Sequence, residues 1–340
     1  MTKPLRIAVL GTGRIGRMHA EHIAFRVREA ALVAAVDLKL DLARECAEAC
    51  GIDHYGTSVD DVLAREDVDA VAICTASTTH TDIIQAAAGA GKHIFCEKPI
   101  DLTLARIDRA LKVVKDAGVL LQVGFQKRFD LDYRRVRQAI DTGEIGTPHS
   151  IHIASRDPAP PPIEFLRTSG GLFLDMTIHD FDMSCYLMGH SVDTVYAAAA
   201  VRVDPAIGEI GDVDTATVVL QYKDGTLLTI ENSRLSAFGY DQRVEVFGSK
   251  GSIRVDHHYP DATILATKDG VRRDVPYHFF LERYKNAYIE ELRAFTNAVL
   301  AGGPSPLSGE EARMPVVIGL AAKRSLETGQ PVKISDIDST

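Results

Sequence analysis

Lysine and arginine are scattered through the 340 residues, 38 of them against 47 acids, and nowhere do they form a basic block. With a formal charge of −9 and no RNA-binding signature, an extended phosphate backbone is excluded as a partner. A small neutral or anionic ligand stays open, because it feels only the local field. Long apolar runs are missing too. No segment reaches the roughly 18 apolar residues of a membrane span. The first apolar run, Leu5-Arg6-Ile7-Ala8-Val9-Leu10, is too short for a signal peptide and reads as a strand. Cysteine is scarce and odd in number, at positions 46, 50, 74, 96 and 185. Such spacing inside regular elements reads as reduced core thiols of a cytoplasmic protein. Cys46, Cys50 and His54 fall four apart, but no fourth ligand is evident and His54 lies past Gly51, so no metal is expected. Tryptophan is absent. The remaining composition is that of a soluble globular protein long enough for two cores.

Residues 1–123 alternate between short β-rich runs and helix-period segments. The strand candidates are 5–10, 31–36, 69–74, 92–96 and 119–123. Helical patterns fall near 14–28, 39–50, 58–65, 80–90 and 103–117. The alternation predicts right-handed βαβ units and a mostly parallel sheet with helices on both faces. Ala70-Val71-Ala72-Ile73-Cys74 is apolar throughout, as a strand buried on both faces must be. The rhythm changes after Gly124. A polar helix near 130–142, a strand at 149–155 and a stiff loop at Pro158–Pro162 precede a helix over 176–188. From 191 to 276 the chain reads as successive strands, with turns at Lys223-Asp224-Gly225, Gly248-Ser249-Lys250-Gly251 and Lys268-Asp269-Gly270. Thr215, Thr217, Val219 and Gln221 put mostly polar residues on one face, so that face of an antiparallel sheet is expected to be open. Helices over 281–301 and 309–327 close the chain. No repeat or low-complexity tract occurs.

Gly11-Thr12-Gly13-Arg14-Ile15-Gly16 follows the first strand and opens a helix. Gly11 allows the tight turn, Gly13 lets backbone approach a pyrophosphate, and Gly16 lets helix and strand pack closely. The helix N-terminus, with Arg14 and Ile15 in its first turn, offers free N–H groups to the anion. Asp37 ends the second strand roughly 20 residues further on, where an acid accepts hydrogen bonds from ribose hydroxyls. Its charge would repel a 2′-phosphate, which favours NAD over NADP; Lys39 lies close by. The fold class is therefore α/β. A Rossmann dinucleotide-binding domain spans 1–123. A C-terminal α+β domain over 124–340 carries a large, mostly antiparallel open-faced sheet. Loops at strand C-terminal ends should line the same crevice. They carry Thr75, Ser77 and His80, then Glu97, Lys98 and Pro99, then Gln122 to Arg128. His80 is also placed to cap the helix at 80–90.

Asp175, His179 and Asp182 stand at i, i+4 and i+7. On one helix, His179 lies about 40° round from Asp175 and Asp182 about 20° the other way. Three polar groups on one face suit proton transfer better than a core, although Asp175 also suits a helix N-cap. His179, with an ordinary pKa of roughly 6.5, is the natural base near neutral pH.

Together the fingerprint, Glu97-Lys98-Pro99 after a strand and the Asp175/His179 pair resemble the glucose–fructose oxidoreductase, inositol dehydrogenase and rhizopine-catabolism family, over essentially the whole chain. Many members carry Gly two residues after the Asp, where this chain has Thr177. Ser155-Arg156-Asp157-Pro158, Ser169-Gly170-Gly171, Ile178-His179-Asp180-Phe181-Asp182 and Phe238-Gly239-Tyr240-Asp241 are closest to its inositol 2-dehydrogenases. The resemblance implies that Lys98, Asp175 and His179 are catalytic, that Lys98 precedes a strained proline turn with a cis bond, and that the product is a ketone of a cyclic polyol, 2-keto-myo-inositol. It also implies Lys127, His152, Asp157, Asp182, Tyr240 and Tyr288 as polyol ligands, and a homotetramer. His152 on a strand and Tyr288 beside Tyr284 and Leu292 equally suit packing. Oxidation of scyllo-inositol or another sugar-like polyol is an alternative on the same scaffold, and a non-catalytic dinucleotide sensor is another.

Overall fold

Five apolar runs and one two-residue segment assemble into the first sheet. The computed structural model describes residues 3–189 and 192–338. It places β1 (Leu5–Leu10), β2 (Ala30–Val36), β3 (Tyr55–Gly56), β4 (Ala70–Ile73), β5 (His93–Glu97) and β6 (Leu121–Gly124) in the order β3-β2-β1-β4-β5-β6. Every pairing is parallel. The connecting helices are α1 (Arg14–Phe25), α2 (Leu40–Cys50), α3 (Val59–Leu63), α4 (His80–Gly89) and α5 (Leu104–Ala117). Gly51 and Gly118, left-handed at φ 69° and 67°, stop α2 and α5. The order reverses between β1 and β4, which opens a ligand crevice beyond their C-terminal ends.

The core of this sheet is completed from far along the chain. Ile7, Val9, Ala72 and Phe95 pack with Ile23 of α1, Cys46 of α2, and Leu292 and Phe295 of the helix Lys285–Ala301. Two compact units result: Met1–Phe129 with Asn286–Arg313, and Asp130–Lys285 with Met314–Thr340. This division differs from the expected 1–123 and 124–340. The apolar stripe of the 285–301 helix joins the first core, a pairing that a linear reading cannot see.

In the second unit, α6 (Leu131–Asp141) leads to β7 (Pro148–Arg156), α7 (Ile163–Leu166), α8 (Gly171–Asp175) and α9 (Ile178–Met188). β8 (Val192–Ala200), β9 (Thr215–Tyr222), β10 (Leu227–Ser233), β11 (Asp241–Gly248) and β12 (Gly251–Val255) follow. After a separate hairpin, β13 (Ile264–Thr267) and β14 (Gly270–Arg273), the edge strand β15 (Val332–Lys333) completes a seven-stranded sheet. Its order is β12-β11-β7-β10-β9-β8-β15. The pairings are antiparallel except β10 with β7. The strand run expected from 191 begins at Val192; Ser191 lies outside the described residues.

Alternation along the strands sets two unlike faces. Ser155, Tyr222 and Asn232 turn to α9: the Ser155 hydroxyl donates to Asp180 at 2.7 Å, Asn232 to Asp180 at 2.8 Å, and the Tyr222 hydroxyl to the Ser184 carbonyl at 3.0 Å. On the other face Thr217, Gln221, Tyr196 and Phe247 are exposed. This is the open face that the sequence predicts.

The helix expected over 176–188 is interrupted. α8 ends at Asp175 and α9 begins at Ile178. The Met176 and Thr177 N–H groups both reach the Leu172 carbonyl at 3.0 Å, and the His179 N–H goes to Met176 at 3.3 Å instead of to Asp175. Thr177 supplies a reason. Its buried hydroxyl lies 2.6 Å from the Asn232 side-chain oxygen and 3.3 Å from the Leu172 carbonyl, so it competes with the helix ladder. Asp175 is not the N-cap of α9; Thr177 holds that position, without a side-chain cap. The ideal 100° steps between Asp175 and His179 therefore do not apply. The helix expected over 281–301 is likewise split at Tyr284, between Phe280–Arg283 and Lys285–Ala301.

Candidate active site

The glycine loop is built by exclusion. Gly11 has φ +87°, and a Cβ there would stand 2.6 Å from the Cys74 carbonyl oxygen. A Cβ on Gly16 would stand 1.7 Å from the Gly11 oxygen, so α1 and the loop interlock where no side chain fits. At Gly13 a Cβ would meet nothing within 4 Å. That open space lies at the N-cap of α1, where no side chain caps the first turn. Its N–H groups are left for an anion. Arg14 is exposed beside it and Ile15 half-buried. Asp37 closes the other side. One carboxylate oxygen accepts the Thr12 N–H at 2.8 Å and the other the Lys39 N–H at 2.9 Å. The first oxygen also accepts from the Thr12 hydroxyl at 3.3 Å, so the open lone pair for a ribose hydroxyl is on the oxygen that faces Lys39. Cradle, helix end and acid fit a dinucleotide.

The next two loops are tied to each other. The Thr75 and Thr79 hydroxyls lie 2.7 Å apart around the turn that holds Ser77. The Lys98–Pro99 peptide is cis, as the resemblance implies, and Glu97 and Lys98 are half-buried. His80 departs from expectation. It is buried, with Nδ1 at 2.8 Å from the Pro99 carbonyl and Nε2 at 3.1 Å from the Thr75 carbonyl. Burial lowers its pKa, and a neutral ring has one N–H to give. The ring lies between the carbonyls of the two loops and gives its one N–H to one of them; it is the first residue of α4, whose N-cap is Thr79.

The second unit carries the other expected residues. Asp175 and His179 are half-buried. Asp175 accepts from Arg234 Nη1 at 3.1 Å. Asp157 is half-buried where β7 ends, its N–H on the Ser233 carbonyl at 2.9 Å. Tyr240 packs edge-on to Tyr284, its ring centre 6.0 Å away. Burial first, then the Asp157 carboxylate, raises the Tyr240 phenol well above its ordinary pKa, so it stays a hydroxyl donor.

The remaining expected substrate residues are buried or turned to the open sheet face. His152 sits on the open face, with Nδ1 3.0 Å from the Thr229 hydroxyl on β10, opposite the face covered by α9. Strand alternation decides this: Ser155 faces α9, so a residue an odd step away cannot. Asp182 is fully buried and has no surface to offer a hydroxyl. Lys127 and Tyr288 both lie in the first unit and are buried, the Tyr288 ring edge-on to His19 at 5.7 Å.

Sequence reasoning missed Arg234, His19 and Glu291. Arg234 is fully buried between Asp175 and Asp212, the latter at 3.9 Å. An arginine just past a strand reads as a surface residue, and only its pairing across 59 positions reveals it. His19 and Glu291 are both fully buried in the first unit, and their ligand atoms gather with that of Glu97 within 4.8 Å of one another.

Comparison with known proteins agrees with this layout. Residues 5–125 match the oxidoreductase family with an NAD-binding Rossmann fold, and 133–254 match the GFO/IDH/MocA C-terminal domain. A myo-inositol 2-dehydrogenase of Thermotoga maritima is 46% identical over 333 residues, 98% of this chain and 99% of the relative. An inositol 2-dehydrogenase of Rhizobium meliloti is 43% identical over 97% of this chain and 99% of its own length. The crystal structure of a scyllo-inositol dehydrogenase from Lactobacillus casei, with NAD(H) and scyllo-inositol bound, matches at TM-score 0.92 and 31% identity, covering 98% of this chain and 100% of that one. The chain belongs to the GFO/IDH/MocA family of oxidoreductases.

Proposed function

We propose that this protein is an NAD-dependent inositol 2-dehydrogenase, which oxidises one ring hydroxyl of myo-inositol to a ketone. The carrying observation is the 46% identity to a myo-inositol 2-dehydrogenase along both chains, with the glycine cradle, Asp37 and the cis Lys98–Pro99 turn all present. NAD, when bound, accepts the carbon-bound hydrogen as hydride. The protein must then take the hydroxyl proton and hold the oxygen. His179 is the base in this reading. Lys98 donates a hydrogen bond to the reacting oxygen and favours negative charge as it develops there. Asp175, its direction fixed by Arg234, accepts from a neighbouring hydroxyl. Asp157 as acceptor and the Tyr240 hydroxyl as donor suit a polyol, since analogues are rejected when such groups are left unpaired.

A second reading, with scyllo-inositol as the substrate, draws on the Lactobacillus casei relative, whose structure holds that isomer. The two differ in the direction of one hydroxyl. NADH formation by purified protein with a panel of inositol isomers and sugars tests both. Turnover with myo-inositol above all others is expected, and turnover with no inositol would refute the function. Lys98→Ala should abolish turnover and leave NAD affinity within a few-fold; loss of both together would make its role structural. We further propose a cytoplasmic homotetramer, in keeping with five free cysteines and an open sheet face.

A further inference from the structure

Behind the Lys98 turn, the first unit buries more acid than it neutralises. His19 of α1 has no exposed surface, and its Nε2 lies 2.7 Å from a Glu97 carboxylate oxygen. Gly124 makes room for that carboxylate, for a Cβ there would stand 3.2 Å from it. Glu291, on the helix Lys285–Ala301, is also fully buried, and neither of its oxygens has a hydrogen-bond partner among the described residues. The three groups gather within 4.8 Å. Their walls are apolar or weakly polar: the Phe95 ring 5.1 Å from His19, the Tyr288 ring, and the thiols of Cys74 and Cys96, which burial keeps protonated. Gln122 from β6 gives its amide N–H to the Glu291 backbone carbonyl at 3.0 Å, not to the carboxylate. His80, itself buried, also feels the Glu97 charge.

Two carboxylates this close in so dry a place cannot both be charged unless a proton or a cation joins them. Distance decides between these. An ion with bonds of about 2.0–2.2 Å spreads tetrahedral donors to about 3.3–3.6 Å apart. The 2.7 Å between His19 and Glu97 is instead that of a charge-assisted hydrogen bond. We propose that Glu291 is held as a neutral carboxylic acid at neutral pH and, with His19, acts as a positioning residue that locks the Glu97 side chain behind Lys98. The Glu97 side chain is thereby fixed at His19, next to Lys98 in the cis-proline turn; its bearing on turnover rests on the role given to Lys98 above.

The linkage has a definite sign. Burial first, then the Glu97 charge, raises the Glu291 pKa well above its ordinary value. Its contribution to stability is present in full below the unfolded value of about 4.3 and is lost as pH rises towards the folded value. The folded protein thus holds one proton that the unfolded chain releases. Between about pH 5 and the folded pKa, the unfolding constant of the wild type should rise tenfold per pH unit relative to Glu291→Gln, whose amide is always neutral.

Infrared spectra of the wild type in heavy water at pH 7 should show a protonated carboxyl band that is missing in Glu291→Gln. This readout needs no turnover, so it stands whether or not the chain oxidises inositol. In the assay, Glu291→Ala should lower kcat about tenfold at unchanged KM for NAD, and Glu291→Gln should restore most of it while flattening the alkaline limb of the pH profile. A wild type without the band overturns the proposal. So does about one metal ion per chain by elemental analysis that is lost on Glu291→Gln, which would make the cluster a metal site. Equal loss of kcat in the Ala and Gln variants overturns the positioning role.

Discussion

Asp37 serves the protein and its ligand with the same carboxylate. Its bonds to the Thr12 and Lys39 N–H groups fix the carboxylate at the rim of the glycine cradle. Its charge then acts on whatever the ribose carries. Asp37→Asn keeps an acceptor for Thr12 and removes the charge. The ratio of kcat/KM for NAD over NADP should fall at least tenfold, about 1.4 kcal/mol; an unchanged ratio would mean that Asp37 does not select the cofactor. Arg234 works the other way round, as a charge whose neighbours define it. Replacing it with Met leaves Asp175 without its buried partner, a change that costs about 3–5 kcal/mol. Chemical denaturation should report that loss, and the Asp175→Asn/Arg234→Met double variant should recover part of the stability but not the turnover. Full additivity of the two substitutions would show that the pair is not coupled. Only the first of these residues is written in the local sequence. Asp37 is legible because its spacing from Gly16 is fixed by one strand, whereas Arg234 meets Asp175 only after a seven-stranded sheet has formed.

At the scale of elements, the strands and helices of the first sheet were legible because the parallel strands are buried on both faces along most of their length and so are mostly apolar. β3 was not, since Tyr55–Gly56 has no room for a pattern. The break between α8 and α9 was hidden for another reason. Met176 and Thr177 include neither glycine nor proline, and the competing partner of Thr177, Asn232, lies 55 residues away. The placement of His152 was hidden for the same reason: a strand residue's identity does not say which face is covered. The glycine loop allows a sharper test, because its glycines are needed for different reasons. Gly16→Ala drives a methyl into the Gly11 oxygen and should cost about 1–3 kcal/mol of stability, read as a lower midpoint in urea. Gly13→Ala meets open space at φ −63°, so folding should be unchanged while NAD binds more weakly at the close approach. If both substitutions lowered stability equally, the division of labour within the loop would be wrong.

For the whole molecule, the open face of the second sheet is the feature that a lone chain leaves unexplained. One face is covered by α9 and linked to it through Ser155, Asn232 and Tyr222. The other carries Tyr196 at 41%, Leu227 at 47% and Phe247 at 52% exposure on strands β8, β10 and β11. Large apolar side chains spread over one sheet face suit a symmetric partner, because a second copy brings the same surface to the contact. Light scattering should therefore give close to four times the 37.0 kDa chain mass. Lysine at Phe247 and Tyr196 together should shift the species towards smaller mass, since each buried ammonium would lack a partner there. Both residues lie on the face opposite α9, so NAD affinity should hold while mass falls. A wild type that runs as a single 37.0 kDa chain at micromolar concentration would refute the assembly.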